Sequence, residues 1–289
     1  MYRTYSILLI IISLFFHQSL FAGWVIVEES ADNFGNHSFQ TTFIQHNLVR
    51  IEGTTTINIL DLNKKELTLI FPSHRSFWKG TPQQLNEQTT QLIKQQFQSL
   101  LARAPASQKD TLRKIIQKLD SPDQNADSTL LLAEVKIQKT GKSLQIDGFK
   151  TYEYEVYVDN MLKETLWVTF DKSPYNELDV EKMLSFTRSI SPMSKEGLIS
   201  RSPAYVALLK KGMVVKSIEY HAHGLQQVTQ VKRIKQMSIS PDIFMPPPGY
   251  RLASIEEIMQ MDLNTKLPGT ADPLDKQNDP DELPQIPNL

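Results

Sequence analysis

Glu219, His221 and His223 are spaced so that they could bind a metal ion. On a strand, residues two apart project from the same face, so both imidazoles and the carboxylate would point the same way. Together they could supply three of the three or four ligands that a zinc site needs. Gly224 follows directly, however, and a corner there would take His223 out of the strand. We therefore favour a partly exposed turn over a metal centre, and we assign no metal and no other cofactor.

Other patterns that carry chemistry are missing from the sequence. No serine lies in a Gly-x-Ser-x-Gly segment, and no glycine-rich loop of the kind that binds phosphate occurs. Paired carboxylates such as Glu28 with Glu29, or Glu153 with Glu155, could carry out acid–base chemistry. On strands such residues are usually solvated charges, and we interpret them so. We assign no catalytic residue, and we predict a protein that is not an enzyme.

Large aromatic side chains are a better guide, because they concentrate in β-prone runs: Trp24, Phe77, Trp78, Tyr152, Tyr154, Tyr157 and Trp167. On a sheet face such residues commonly form the core, and the alternative is that they line an apolar ligand pocket. On that alternative the candidate ligand-binding residues are Trp78, Phe97, Tyr154 and Trp167. A pocket and a packed core look alike in sequence, so both interpretations stay open.

The elements that must position these residues are mostly strands. Short β-prone runs separated by turn residues predict an antiparallel meander rather than βαβ units. The predicted strands are 24–29, 38–45, 48–52, 55–61, 66–71, 76–79, 133–139, 144–146, 152–158, 164–171, 205–209, 213–221 and 226–236. The polar run at 140–142 is predicted as a turn between two of them.

A helical pair interrupts the strands at about 82–119. Thr81 before Pro82 is a helix start signal, and Pro105 divides the apolar stripe that follows into two helices. Further helices are predicted at 173–190 and 254–261. The pair needs an apolar surface to cover, which the concave face of a curved sheet would supply. The predicted fold class is α+β, a curved antiparallel half-barrel sheet with helices on its concave face.

The two ends of the chain differ in composition from the rest. Residues 1–22 have Arg3 and a short, largely apolar run, which predicts a signal peptide cleaved between Ala22 and Gly23. The alternative is an uncleaved signal that anchors the protein at the inner membrane. Residues 262–289 are rich in proline and acidic residues, which predicts a disordered tail. Residues 23–261 between them are predicted to form a single domain.

Cysteine and charge counts exclude several classes of function. The chain has no cysteine, which excludes disulfides, thiolate metal sites, a cysteine nucleophile and an acylated lipobox. An exported chain without disulfides favours the periplasm of a Gram-negative cell. The 31 basic and 32 acidic residues give a net charge of −1, so no strong field favours nucleic acid as a partner.

Three segments resemble a family of exported bacterial domains of unknown function. The first has GWVIVEES at 23–30 and DNFG at 32–35, and the second has LIFP at 69–72 and SFWKG at 76–80. The third has IDGFK at 146–150, YEY at 152–154 and LWV at 166–168. The resemblance spans about 23–250 and implies the half-barrel of periplasmic lipoprotein carriers of the LolA and LolB kind. Those carriers have no catalytic residues to transfer.

The leading hypothesis is therefore a non-enzymatic periplasmic protein that binds a lipid, an acyl chain or another apolar or amphipathic ligand between the sheet and the helices of 82–119. The first alternative is an envelope interaction or scaffold protein with a packed core, whose tail binds another envelope protein. The second is a metal-dependent hydrolase, for which the three residues named at the outset are the candidate site.

Overall fold

A computed structural model describes residues 23–120, 134–190 and 195–265 of the chain. The predicted signal peptide at 1–22 lies outside the described residues. Of the tail predicted at 262–289, residues 262–265 are helical, and the rest lies outside the described residues. The single domain and the tail stay predictions.

In the part of the chain that the structure describes, twelve strands form one sheet. They are β1 (Gly23–Asp32), β2 (His37–Gln45), β3 (Leu48–Glu52), β4 (Ile57–Asp61), β5 (Glu66–Phe71), β6 (Ser76–Gly80), β7 (Val135–Ile146), β8 (Phe149–Val158), β9 (Met161–Thr169), β10 (Met213–Tyr220), β11 (Gln226–Met237) and β12 (Arg251–Leu252). Within the described ranges six helices accompany them: α1 (Pro82–Arg103), α2 (Ala106–Asp120), α3 (Val180–Ile190), α4 (Lys195–Ile199), α5 (Pro203–Lys211) and α6 (Ile255–Thr265).

The sheet is an antiparallel meander that the long-range pairing of β1 holds together. Its strand order is β12-β6-β5-β4-β3-β2-β1-β11-β10-β9-β8-β7, and only the short β12 runs parallel to its neighbour. The first described strand thus lies in the middle of the sheet, hydrogen-bonded to β2 on one side and to β11 on the other. The predicted α+β half-barrel is confirmed.

The main core lies between the sheet and the helices. Its sheet residues include Trp24 and Ile26 on β1 and Trp78 on β6, and α3 and α6 contribute Phe186 and Ile258. Helix α1 contacts both α3 and α6, whereas the main contacts of α2 are with α1. The helical pair predicted at 82–119 is therefore present, but only its first helix packs on the core. None of the described helices combines the length and apolar character needed to cross a membrane.

The predicted helix starts have the expected capping contacts. The Thr81 hydroxyl accepts from the Gln84 backbone N–H at 3.2 Å, and the Thr81 N–H donates to the Gln84 side chain at 2.8 Å. Ser254 and Glu257 exchange the same pair of bonds at the start of α6. Each reciprocal pair gives a hydrogen-bond partner to two backbone N–H groups that would otherwise have none at the start of the helix.

A smaller core covers the opposite face of the sheet at β1 and β2. Val25, Phe43 and Ile239 are buried there, with Ile243 and Phe244 packed against them. The chain after β11 crosses this face as an extended segment and a short 3₁₀ turn at Pro241–Phe244. This segment seals apolar side chains that would otherwise be open to water.

Two local predictions were wrong. Residues 205–209 are helical in α5, because Ser202 and Pro203 start a helix and Leu208 and Leu209 are buried on one side of it. An apolar run of only five residues does not distinguish strand from helix. Residues 140–142 do not end a strand either, since β7 continues through them with a register shift against β8. Gly141, at a φ of 84°, supplies the left-handed backbone of that irregularity.

Candidate functional site: an apolar cavity beneath α3

A cavity of about 240 Å³ lies between the sheet and α3. It is lined by Ile26, Glu28, Thr42, Ile44, Pro174, Tyr175, Leu178, Val180, Met183, Leu184, Leu209, Met213, Val214 and Val231. The sheet contributes residues from β1, β2, β10 and β11, and the helical side contributes residues from α3, α5 and the 3₁₀ turn at Pro174–Asn176. None of the lining residues comes from 82–119, so the cavity is not where the sequence predicted it.

Hydrogen bonds hold the loop that covers one end of the cavity. The indole N–H of Trp24 donates to the Asn176 side chain at 3.1 Å, and the Glu177 carboxylate accepts from the His46 backbone N–H at 2.9 Å. The Asn47 side chain accepts from the Asp179 N–H at 2.6 Å. These bonds fasten the loop to β1 and to the β2–β3 turn, which fixes the start of α3 over the sheet.

Glu28 is a carboxylic acid in the cavity wall, and the pKa of its neighbour Glu29 is shifted in the opposite direction. Burial raises the pKa of the Glu28 carboxyl above its ordinary value of 4.5, and a hydrogen bond from Gln40 at 3.3 Å offsets part of that effect. The ammonium of Lys232, 2.9 Å from the Glu29 carboxylate, lowers the pKa of Glu29. Because Glu28 shares a strand face with Trp24 and Ile26, strand alternation could have placed it inward.

Tyr175 lines the cavity from the 3₁₀ turn, near enough to Glu28 to feel its charge. Burial, and then the nearby Glu28 carboxylate, raise the pKa of its phenol to about 12. The hydroxyl therefore stays protonated at every physiological pH and can donate a hydrogen bond. Both side chains keep an intermediate exposed fraction. Part of the exposed surface of Glu28 and Tyr175 faces the cavity. The cavity admits a water-sized sphere, so its walls count as accessible surface.

We expect Glu28→Gln to make the protein more stable at neutral pH, with an advantage that disappears in acid. The folded state holds the Glu28 proton more tightly than the unfolded state does, so the unfolding free energy of the wild type falls as pH rises above 4.5 towards the raised pKa. Glu28→Gln has no carboxyl group at this position, so its unfolding free energy does not fall over this pH range. Urea unfolding of both proteins between pH 4 and pH 8 measures the difference.

Glu29→Gln is the matched control, because its carboxyl has a lowered pKa. Its ion pair with Lys232 stabilises the folded state above pH 4.5, and that stabilisation is lost as pH falls through the lowered pKa. Glu29→Gln should therefore be less stable than the wild type at neutral pH, and the difference should shrink in acid. A pH-independent difference for Glu28→Gln would contradict the placement of Glu28 in the cavity.

Two surface depressions flank the cavity. One, of about 570 Å³, lies between α3 and α5 and carries Arg188, Arg201 and Lys210 with Glu181. It shares Leu184 with the cavity, and Lys210 pairs with Glu181. The other, of about 530 Å³, shares Tyr175 and Leu178 with the cavity and is otherwise polar. Basic groups are thus close to the cavity but do not line it.

A third depression, of about 480 Å³, lies between α1 and α6. Leu92, Leu100 and Met259 provide its apolar wall, and Arg103 and Glu256 lie at its edge. Leu100 is exposed, so one wall of this groove is open to solvent.

The four predicted ligand-binding residues do not share one site. Trp78 is buried in the main core, where its indole N–H donates to Gln88 on α1 at 3.3 Å, and Phe97 is partly buried on α1. Tyr154 packs with the cluster beneath α4 and α5. Trp167 faces the other side of the sheet from that cluster and is buried in the main core that also holds Trp78, and the Lys216 ammonium lies 5.3 Å from its ring centroid. None of the four lines the cavity beneath α3, and their part in ligand binding stays a prediction.

The metal candidates separate in the structure. Strand β10 ends at Tyr220, and His223 lies in the predicted corner with a φ of 60°. Glu219 and His221 are still close, with 3.8 Å between Oε2 and Nε2. Within the described ranges no three histidine, aspartate or glutamate side chains are grouped as a metal site would require. The strand-face geometry on which the three-ligand set depended is therefore wrong.

The carboxylate pairs also behave differently from the sequence interpretation. Glu28 lines the cavity, and Glu153 is 5% exposed, with its carboxylate 3.0 Å from the Lys142 ammonium. Neither is an ordinary solvated charge. The buried indole nitrogen of Trp167, on the register partner of Glu153, has no hydrogen-bond partner among the described residues.

Comparisons with known proteins give only distant likenesses. No family model matches the chain, and a search of curated proteins finds no match. Among solved structures, PNGF-II is 11% identical with a TM-score of 0.37, and the match covers 85% of this chain and 33% of that one. The MucA/MucB complex of Pseudomonas aeruginosa is 10% identical with a TM-score of 0.32, covering 78% and 56%. A LolA superfamily protein from Nitrosomonas europaea is 11% identical with a TM-score of 0.24, covering 78% and 90%.

The chain thus spans about a third of PNGF-II and little more than half of the matched chain in the MucA/MucB complex. A LolA superfamily protein is among the neighbours, as the sequence resemblance predicted. Since all three TM-scores are below 0.5, these likenesses decide nothing about function, and the cavity itself must support any proposal.

Proposed function

We propose that the protein is a non-enzymatic periplasmic binding protein that holds an apolar or amphipathic ligand, such as the acyl chain of a lipid, between its sheet and α3. The cavity of about 240 Å³ is the observation that supports this. Its wall is mostly aliphatic side chains and methionine, with few polar groups, which is the composition typical of small-molecule sites.

The size of the cavity limits the ligand. Engineered apolar cavities of about 150 Å³ bind benzene, and sites for drug-sized ligands run from about 300 to 1,000 Å³. A volume between these values suits one small apolar molecule or the end of a single acyl chain. It is too small for the several chains of a whole membrane lipid.

Methionines at the cavity provide a direct binding test. Met183 and Met213 both line it, so their labelled methyl signals should shift when a ligand enters. We expect toluene and octanol to shift these two signals saturably, while the signal of Met161, an exposed residue on β9, stays unchanged. Absence of a saturable shift with either compound would overturn the proposal.

A separate experiment identifies the native ligand. Protein purified gently from the periplasmic fraction should release a bound lipid or fatty-acyl compound on organic extraction, identified by mass spectrometry. Deletion of residues 264–289 distinguishes the alternative envelope scaffold function, because ligand binding should survive the deletion whereas a partner that binds the tail would be lost.

A further inference from the structure

The polar side chains of the cavity wall are few and lie together. Glu28, Thr42 and Tyr175 are the polar residues among those that line it, and the rest are aliphatic side chains, methionine and proline. Glu28 on β1 and Thr42 on β2 lie on the same face of the sheet, and the Glu28 charge acts on the Tyr175 phenol. Among the described residues, a ligand inside the cavity therefore meets its polar contacts at this group of side chains.

Glu28 and Tyr175 have hydrogen-bonding positions that no described residue uses. The Gln40 amide donates weakly to both Glu28 and Thr42, at 3.3 and 3.4 Å. One carboxyl oxygen of Glu28 accepts nothing, and the Tyr175 hydroxyl makes no hydrogen bond, within the described part of the chain. Polar groups turned into an apolar cavity are costly when unpaired, so a ligand that pairs with them gains affinity.

The charge of a ligand's polar group decides whether that group can bind beside Glu28 and Tyr175. Among the residues that the structure describes, no lysine, arginine or histidine lines the cavity. A carboxylate or phosphate would be buried beside the Glu28 carboxyl without a countercharge, which is strongly unfavourable. An ammonium would face one carboxyl, but the hydration that both ions lose offsets much of that attraction. A hydroxyl or amide needs no countercharge, and it can accept from Tyr175 while donating to Glu28.

We propose that the cavity binds a single apolar chain that ends in an uncharged hydrogen-bonding group, a hydroxyl or an amide, and that Glu28 and Tyr175 bind that group. The inference rests on the proposed function, since it names the ligand class of the same cavity. It places the chain against Leu184, Leu209 and Val231 and the polar end between β1 and the 3₁₀ turn at Pro174–Asn176.

The experiment compares octanol, octanoate and octylamine, which share one chain and differ in the charge of the polar end. Affinities are measured at pH 7.5 from the Met183 and Met213 methyl signals. We expect octanol to bind at least about tenfold more tightly than octanoate. Tyr175→Phe and Glu28→Leu, which leave no donor and no acceptor at these positions, should each weaken octanol binding by about three- to tenfold, the effect of one lost hydrogen bond. Toluene, which has no polar end, should bind all three proteins alike.

Each result bears on one proposal. Octanoate binding as tightly as octanol would overturn the inference, and the adjacent basic depression with Arg188 and Lys210 would then hold the polar end. Octylamine binding more tightly than octanol would overturn it in favour of an ion pair with Glu28. Equal octanol affinity in Tyr175→Phe, Glu28→Leu and wild type would overturn it while leaving the proposed function intact. Failure of toluene and octanol alike would overturn the proposed function itself.

Discussion

Phe43→Ala is expected to lower the free energy of unfolding by about 3–5 kcal/mol, the usual cost of removing a buried phenylalanine ring. Phe43 has no exposed surface and packs with Val25 and Ile239 on the sheet face opposite the cavity. The segment after β11 that covers this face is held in part by Arg50, whose guanidinium donates to the Ile243 carbonyl at 2.7 Å. That covering segment cannot fully collapse into the space left by the ring. Equilibrium urea unfolding measures the loss.

Phe34→Ala is the control for this prediction, because Phe34 is 78% exposed in the β1–β2 turn. Its loss should change stability by no more than about 0.5 kcal/mol. Phe43→Ala should also keep the octanol affinity of the wild type at temperatures where it is folded, since Phe43 and the cavity lie on opposite faces. A stability loss no larger than that of Phe34→Ala would mean that the small second core contributes little.

Much of the sheet could be predicted because its signals are local. Asp32 accepts from the Phe34 and Asn36 backbone N–H groups at 2.9 and 3.0 Å, which is the turn that its residue type favours. Strands β3 and β5 coincide with the predicted 48–52 and 66–71. Hairpin neighbours follow one another in sequence, so alternation and turn residues are enough to identify them.

The pairing of β1 with β11 could not be predicted in the same way. It joins Glu28 to Val231, which are far apart in the chain, across a register shift that follows Val27. No local pattern indicates that register. The cavity depends on it, because the register sets Val231 beside Glu28 beneath α3.

The candidate site was missed for a related reason. The four predicted site residues were chosen because large aromatic side chains are conspicuous in a sequence. The cavity is instead lined mainly by valine, leucine, isoleucine and methionine. A cavity is space that side chains fail to fill, and that depends on how α3 lies over the sheet. The loop at 174–179 sets that position through Asn176 and Glu177, and its bonds to Trp24 and His46 join distant parts of the chain.

Val231→Phe is expected to abolish ligand uptake while the protein stays folded. Val231 is 2% exposed, lines the cavity from β11 and is the register partner of Glu28. A phenyl ring at this position would extend into the space that we assign to the ligand chain. We expect the affinity for toluene and octanol to fall at least about tenfold. Because the ring fills space instead of displacing neighbours, stability should be unchanged or higher by about 0.5–2 kcal/mol.

Val228→Phe is the matched control, since it makes the same substitution on the same strand. Residues three apart on a strand face opposite ways, and Val228 does not line the cavity. It should bind both ligands as the wild type does. The combination of lost binding with undiminished stability is what separates a cavity from a filled core, because a ring forced into a filled core costs about 1–3 kcal/mol. If Val231→Phe unfolds the protein or binds octanol normally, the space beneath α3 does not hold a ligand.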